Sequence, residues 1–123
     1  MKVWLTPIEE LRELPPPYEI LELEPEEERC FTVVQWEYGK IKIHPRYPGA
    51  PPEKWVRGCR VHILPEEKPL FPHYYDLTAS TLVPQVLAIL TKAHVPPNKV
   101  KLCIKKVGVA PKARFQVRVL EVT

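Results

Sequence analysis

The sequence predicts a mainly β, α+β domain with one principal helix, on three observations. Apolar and polar residues alternate with period two through several runs, as in Lys40-Ile41-Lys42-Ile43-His44 and Cys59-Arg60-Val61-His62-Ile63. Strand side chains point to opposite faces in turn, so each run buries one face and shows the other. One stretch alone carries a helical stripe, with Leu82, Val86, Ile89 and Ala93 recurring at spacings of three and four. Finally, 16 prolines against 4 glycines punctuate the chain and confine regular structure to short pieces.

Taken in order, residues 2–5 read as a short strand or lead-in. Thr6-Pro7-Ile8-Glu9 starts a short helix, with a threonine cap, proline in the first turn and glutamate three residues after the cap. Pro15, Pro16 and Pro17 stop it. Residues 18–24 alternate loosely and are expected to form a strand, followed by an acidic turn over 25–29. The runs 31–38 and 40–44 are rich in β-forming residues and meet at Gly39, which suggests a hairpin. A proline-rich loop over 45–53, a strand over 55–64 and a proline-broken connection over 65–72 follow. The helix is expected within 77–94, with Pro84 in its first turn, Ser80 or Thr81 near its cap, and Lys92 and His94 at its negative end. Runs 99–107 and 113–122 make a final hairpin across 108–112. No repeat or linker divides the 123 residues, so the expectation is a single domain, 1–123, with an acidic extension over 1–17 and the β body over 18–123.

Charge is distributed unevenly. Residues 1–30 hold 3 Lys/Arg against 9 Glu, a net of −6, whereas 31–123 hold 15 Lys/Arg against 6 Asp/Glu, a net of +9. The overall +3 therefore hides a strongly basic body. Its cations sit on alternate strand positions: Lys40, Lys42 and His44; Arg60 and His62; Lys99, Lys101 and Lys105; Arg114 and Arg118. Merged outer faces of this kind make a cationic surface suited to a phosphate backbone. Exposed rings then distinguish single strands from duplexes, because only unpaired bases offer their faces for stacking. Trp36 and Tyr38 share parity with Thr32 and Val34, and alternation alone leaves open whether that face is outside or is the core. Tyr47 and Trp55 bracket a basic loop and suit stacking.

From residue 18 the order is four strands, a helix and two strands. When 31–38 and 40–44 count as parts of two long curved strands, that is the order of a five-stranded Greek-key barrel with its helix between the third and fourth strands. On this order, the basic strand faces and the final hairpin, residues 18–122 resemble OB-fold single-stranded DNA-binding proteins of thermophilic archaea and their viruses. The resemblance implies a groove lined by Trp36, Tyr38, Lys40 and Lys42, with Arg60 and His62 from the next strand. It also implies closure by a basic hairpin bearing Lys105, Lys106, Lys112 and Arg114. Such a protein coats DNA exposed in replication, recombination or a viral cycle, with little sequence preference. The expected partner is single-stranded DNA, with RNA left open and self-association through the acidic segment considered. The alternative is a small β-rich interaction module that places the same surface on an acidic protein.

The residues give little support to other chemistry. Asp76 is the single aspartate and Ser80 the single serine, and a helix cap explains Ser80 more simply than a nucleophile does. Four dispersed histidines and three cysteines make no metal-ligand spacing, and no Gly-rich phosphate loop appears. The expectation is a non-enzyme with no cofactor and no metal. Cys30, Cys59 and Cys103 are expected to be free thiols rather than a disulfide framework. Depletion of Ser, Asn, Asp and Met beside 14 Glu and 16 Pro points to a thermophilic source. With no run near the ~20 apolar residues of a membrane span and no signal-like start, a soluble, cytoplasmic protein without membrane contact is expected.

Overall fold

One long strand organises the molecule. In a computed structural model that describes residues 6–46, 48–109 and 111–123, β1 (Glu28–Ile43) runs unbroken through Gly39. Over Val33–Ile43 it pairs antiparallel with β2 (Lys54–Ile63), which pairs in turn with β3 (Tyr74–Leu77). Over Glu28–Val33 the opposite edge of β1 pairs with β4 (Val100–Val107), and β4 pairs with β5 (Arg114–Val122). The result is one five-stranded antiparallel sheet in the order β3-β2-β1-β4-β5. A single α-helix, α1 (Val83–Lys92), lies between β3 and β4 in the chain and buries Val83, Val86, Leu87 and Leu90. The expected short strand or lead-in at 2–5 lies outside the described residues.

The structure corrects several expectations. Gly39 is not a turn but a mid-strand residue, and the chain needs glycine there for space. A Cβ on it would lie 2.6 Å from the Arg12 carbonyl oxygen. Residues 18–24 form no strand; Ile20 makes only an isolated parallel bridge to Asp76. The missing strand is β3, whose four residues are too short for alternation to announce them. The amino-terminal helix is a single 3-10 turn, Ile8–Glu10. α1 starts at Val83 with Pro84 in its first turn, as expected, but no side chain caps it.

A bulge in β1 settles which face is the core. The pairing passes from Val33↔Ile63 to Gln35↔His62, leaving Val34 as an extra residue. The insertion shifts the phase of the strand. Phe31 and Val33 before it, and Trp36 and Tyr38 after it, therefore all pack on the helix side with Val61, Leu102 and Ile104.

Within the acidic extension, residues 12–14 are part of the fold. Leu14 is fully buried. Its amide donates to the Lys40 carbonyl at 3.0 Å, and the Lys40 amide donates to the Arg12 carbonyl at 2.8 Å. Farther on, the Asp76 amide donates to Glu19 and the Leu21 amide donates to Asp76. Residues 12–21 thus strap the sheet from the free edge of β1 to the outer edge of β3. The cysteine expectation is also corrected. Cys30 and Cys103 lie directly opposite each other in β1 and β4 and form a disulfide, while Cys59 is free and buried. At a sequence separation of 73, nothing in their spacing signals the pair.

Candidate nucleic-acid interface

α1 has ten residues and spans about 15 Å, whereas the sixteen of β1 would cover about 50 Å if straight. The helix-side face is consequently uncovered toward the β1–β2 hairpin. There the register sets Lys40 opposite Arg57 and Lys42 opposite Trp55. The Lys40 and Lys42 ammonium groups stand 5.2 and 5.0 Å from the centroid of the half-buried Trp55 ring. Both distances fall within cation–π range. Lys42 also pairs with Glu53 at 3.2 Å.

Trp55 forms one wall of a cleft of about 300 Å³, shared with Tyr38, Arg57, Thr78, Ser80, Val83 and Pro84. That volume is at the small end of ligand sites. Arg57 is held in place, donating to the Thr6 carbonyl and to the Tyr38 hydroxyl at 3.3 Å. On its other side Trp55 lines a second hollow with Lys42, Glu13, Pro15 and Tyr18. One indole therefore borders two hollows, with two lysine ammonium groups over its ring.

The other expected site residues divide into distinct groups. Trp36 is half-buried and its indole N–H donates to the Val95 carbonyl at 2.7 Å, which ties the ring to the core. Tyr38 packs on the same core but borders the cleft. Arg60 is 2% exposed, and its Nε donates to Asp76 Oδ1 at 2.7 Å. Burial alone pushes this guanidinium down, but the hydrogen bond and charge of Asp76 outweigh it and hold its pKa above the ordinary value. Arg60 therefore serves the strap rather than a surface groove. His62 lies on the same face as Arg60, with Nε2 at 2.8 Å from Glu37. Tyr47 lies outside the described residues.

At the far end of β1, Lys112 and Arg114 are exposed, and Lys106 is half-buried with its backbone bonded to Glu26 and Glu27. Lys105 is 3.9 Å from Glu26, and Arg118 is 3.1 Å from Glu28. The Gly108 amide donates to Glu26 Oε2 at 2.9 Å. The acidic turn thus sits against the last hairpin and offsets its charge. The Arg118 hydrogen bond also holds the Glu28 carboxyl below its ordinary pKa.

The expected constellation is accordingly not one surface. Lys40, Lys42 and Trp55 come together with Arg57, and Arg60 and His62 turn to the opposite face. Lys105, Lys106, Lys112 and Arg114 belong to the hairpin at the other end. Arg57 was missed, although a signal existed: Trp55 and Arg57 share parity with Cys59 and Val61, while Arg60 and His62 do not. Among the described residues, the triad of metal-capable side chains is Glu28, Cys30 and Cys103, two of which are joined to each other. No helix among these residues is long and apolar enough to cross a membrane. Comparison with protein-family models, curated proteins and solved structures finds no match for this chain.

Proposed function

We propose that this chain is a non-enzymatic, intracellular protein that binds single-stranded nucleic acid, DNA in the first instance, at the Trp55 cleft. The observation that carries the proposal is the half-buried indole with two lysine ammonium groups about 5 Å from its centre and Arg57 beside it. A base stacked on Trp55 places its flanking phosphates within reach of Lys40, Lys42 and Arg57. Ring stacking contributes about 1–3 kcal/mol per base, and duplex DNA cannot use it. The basic hairpin carrying Lys112 and Arg114 supplies a second, purely electrostatic contact that positions the strand without reading sequence.

The OB reading of the fold has support in the strand arrangement. Three strands joined in sequence, β1-β2-β3, are followed by β4, which returns beside β1, and the helix lies between β3 and β4. That spatial order, 4-1-2-3, is the one a Greek key has, and nucleic-acid contact along the second and third strands is a use of the OB barrel.

A second reading, a module that docks an acidic protein, draws on Trp36 and Tyr38. Both pack on the core and leave Trp55 as the main stacking ring. Comparing labelled oligo-dT with a matched duplex by fluorescence anisotropy separates the two. Preference for oligo-dT, lost in Trp55→Ala, supports the nucleic-acid reading. Equal or absent binding supports the protein partner.

A further inference from the structure

The two edges of the sheet differ. The outer edge of β3 is covered by the strap, whereas β5 has no strand beside its outer edge among the described residues. β5 also bears Val119, Leu120 and Val122, which are 45, 45 and 51% exposed. Val119 and Val122 line, with Ile89 and Lys92 of α1 and with Ala93, His94 and Asn98 just after it, an open groove of about 540 Å³. A long apolar edge strand is a template for another strand.

We propose that the occupant is a second copy of the chain, with β5 pairing antiparallel to β5 of its twin about a two-fold axis at Val117. Backbone direction, side-chain pairing and charge each favour self-pairing. The Phe115 carbonyl accepts from Gln85 Nε2 of α1 at 2.9 Å, so it turns away from β4, and its second lone pair is the one a partner strand would use. By strand alternation Val117 and Val119 present their N–H and C=O groups outward as well. A two-fold axis at Val117 pairs it with itself and sets Phe115 against Val119 of the partner subunit, a favourable aromatic–β-branched pair.

Charge agrees with this register. Arg114 and Glu121 lie at opposite ends of β5, and both share the sheet face of Cys103. The irregularity of β5 between its partners Lys101 and Leu102 leaves Leu120 as the extra residue, which brings Glu121 level with the twin's Arg114. Antiparallel pairing therefore makes two symmetric Arg–Glu contacts, whereas parallel pairing sets like charge on like. Gln116 faces Arg118 of the partner subunit, whose charge Glu28 already engages. The surface is self-complementary, as an isologous interface must be. A single nine-residue edge is a small contact beside specific interfaces, which bury about 1,200 Å² or more in total, so the dimer is expected to dissociate on dilution.

The inference is independent of the nucleic-acid reading. Sedimentation velocity of the full chain across a concentration series tests it. The expected result is a monomer–dimer equilibrium that Val119→Lys abolishes without lowering the melting temperature. Arg114→Glu and Glu121→Arg should each weaken association several-fold, and combining them should restore it. A wild-type chain that stays monomeric at every concentration would overturn the proposal. So would a dimer indifferent to Val119→Lys, or a double charge swap that associates no better than either single variant.

Discussion

Trp55 and Arg60 show how one strand position decides what a residue can do. Two positions of the same parity would share a face, but these differ in parity: Trp55 reaches an open cleft and Arg60 the strap. Trp55→Ala is expected to weaken oligo-dT binding about 5- to 150-fold, the equivalent of 1–3 kcal/mol of stacking, with little change in melting temperature. Arg60 should behave in the opposite way. It is 2% exposed and paired with a fully buried Asp76, so Arg60→Met leaves a buried carboxylate without its partner and is expected to cost about 3–5 kcal/mol of stability. Chemical denaturation checks this. An unchanged midpoint would contradict the buried pair, and Arg60→Met/Asp76→Leu should recover part of the loss. Glu37 adds a pH dependence. Burial raises its pKa, but the hydrogen bond from His62 and the charge of Arg12 outweigh that and hold the carboxyl below its ordinary value. Its contribution is therefore complete above the ordinary glutamate pKa of about 4.3 and is lost as pH falls below it. Thermal melts from neutral to acid pH should show a shallower decline for Glu37→Gln than for wild type.

The elements explain what alternation could and could not reveal. The sheet-forming runs around 31–43, 54–63, 100–107 and 114–122 were legible because each is long enough to show period two. So were the helix and its Pro84, from a stripe of three and four. Four-residue β3 was not, and the strand expected at 18–24 proved to be the strap. Glycine signals a turn when nothing is known of its neighbours. At Gly39 the signal instead marks the close approach of Arg12, visible only once the strap is in place. Gly39→Ala should displace that crossing and cost about 1–3 kcal/mol, as overpacking does. The bulge at Val34 inverted the parity argument for Trp36 and Tyr38, because one extra residue moves every later side chain to the other face. Cys30 and Cys103 are coupled only through the β1–β4 register. Reducing their bond is expected to lower stability by about 2–4 kcal/mol, with the loop model favouring the upper part. Melts with and without reductant, against Cys30→Ser/Cys103→Ser, measure it.

At the scale of the whole molecule, the charge asymmetry of the sequence was a guide to function only in part. Residues 12–21 strap the sheet of the basic body, and Glu26 and Glu28 offset Lys105 and Arg118 at the last hairpin. Part of the apparent cationic surface is thereby balanced, while at the Trp55 end of the sheet two lysines and a half-buried ring coincide, as Arg29 and Lys68 do with Tyr75. Deleting 1–17 would remove the buried Leu14 and its backbone bonds to Lys40, so Glu26→Gln/Glu28→Gln is the cleaner variant. It should tighten binding of single strands at low salt if the acidic turn competes for the hairpin.

The central claim is that the Trp55 cleft takes an unpaired base. Anisotropy of labelled oligo-dT against a matched duplex, for wild type and Trp55→Ala across a salt series, tests it most directly. The account expects wild type to prefer oligo-dT, to lose affinity steeply with salt as phosphates are neutralised, and to lose the preference when the indole is removed. Equal affinity for both nucleic acids, or an oligo-dT affinity unchanged in Trp55→Ala, would contradict it.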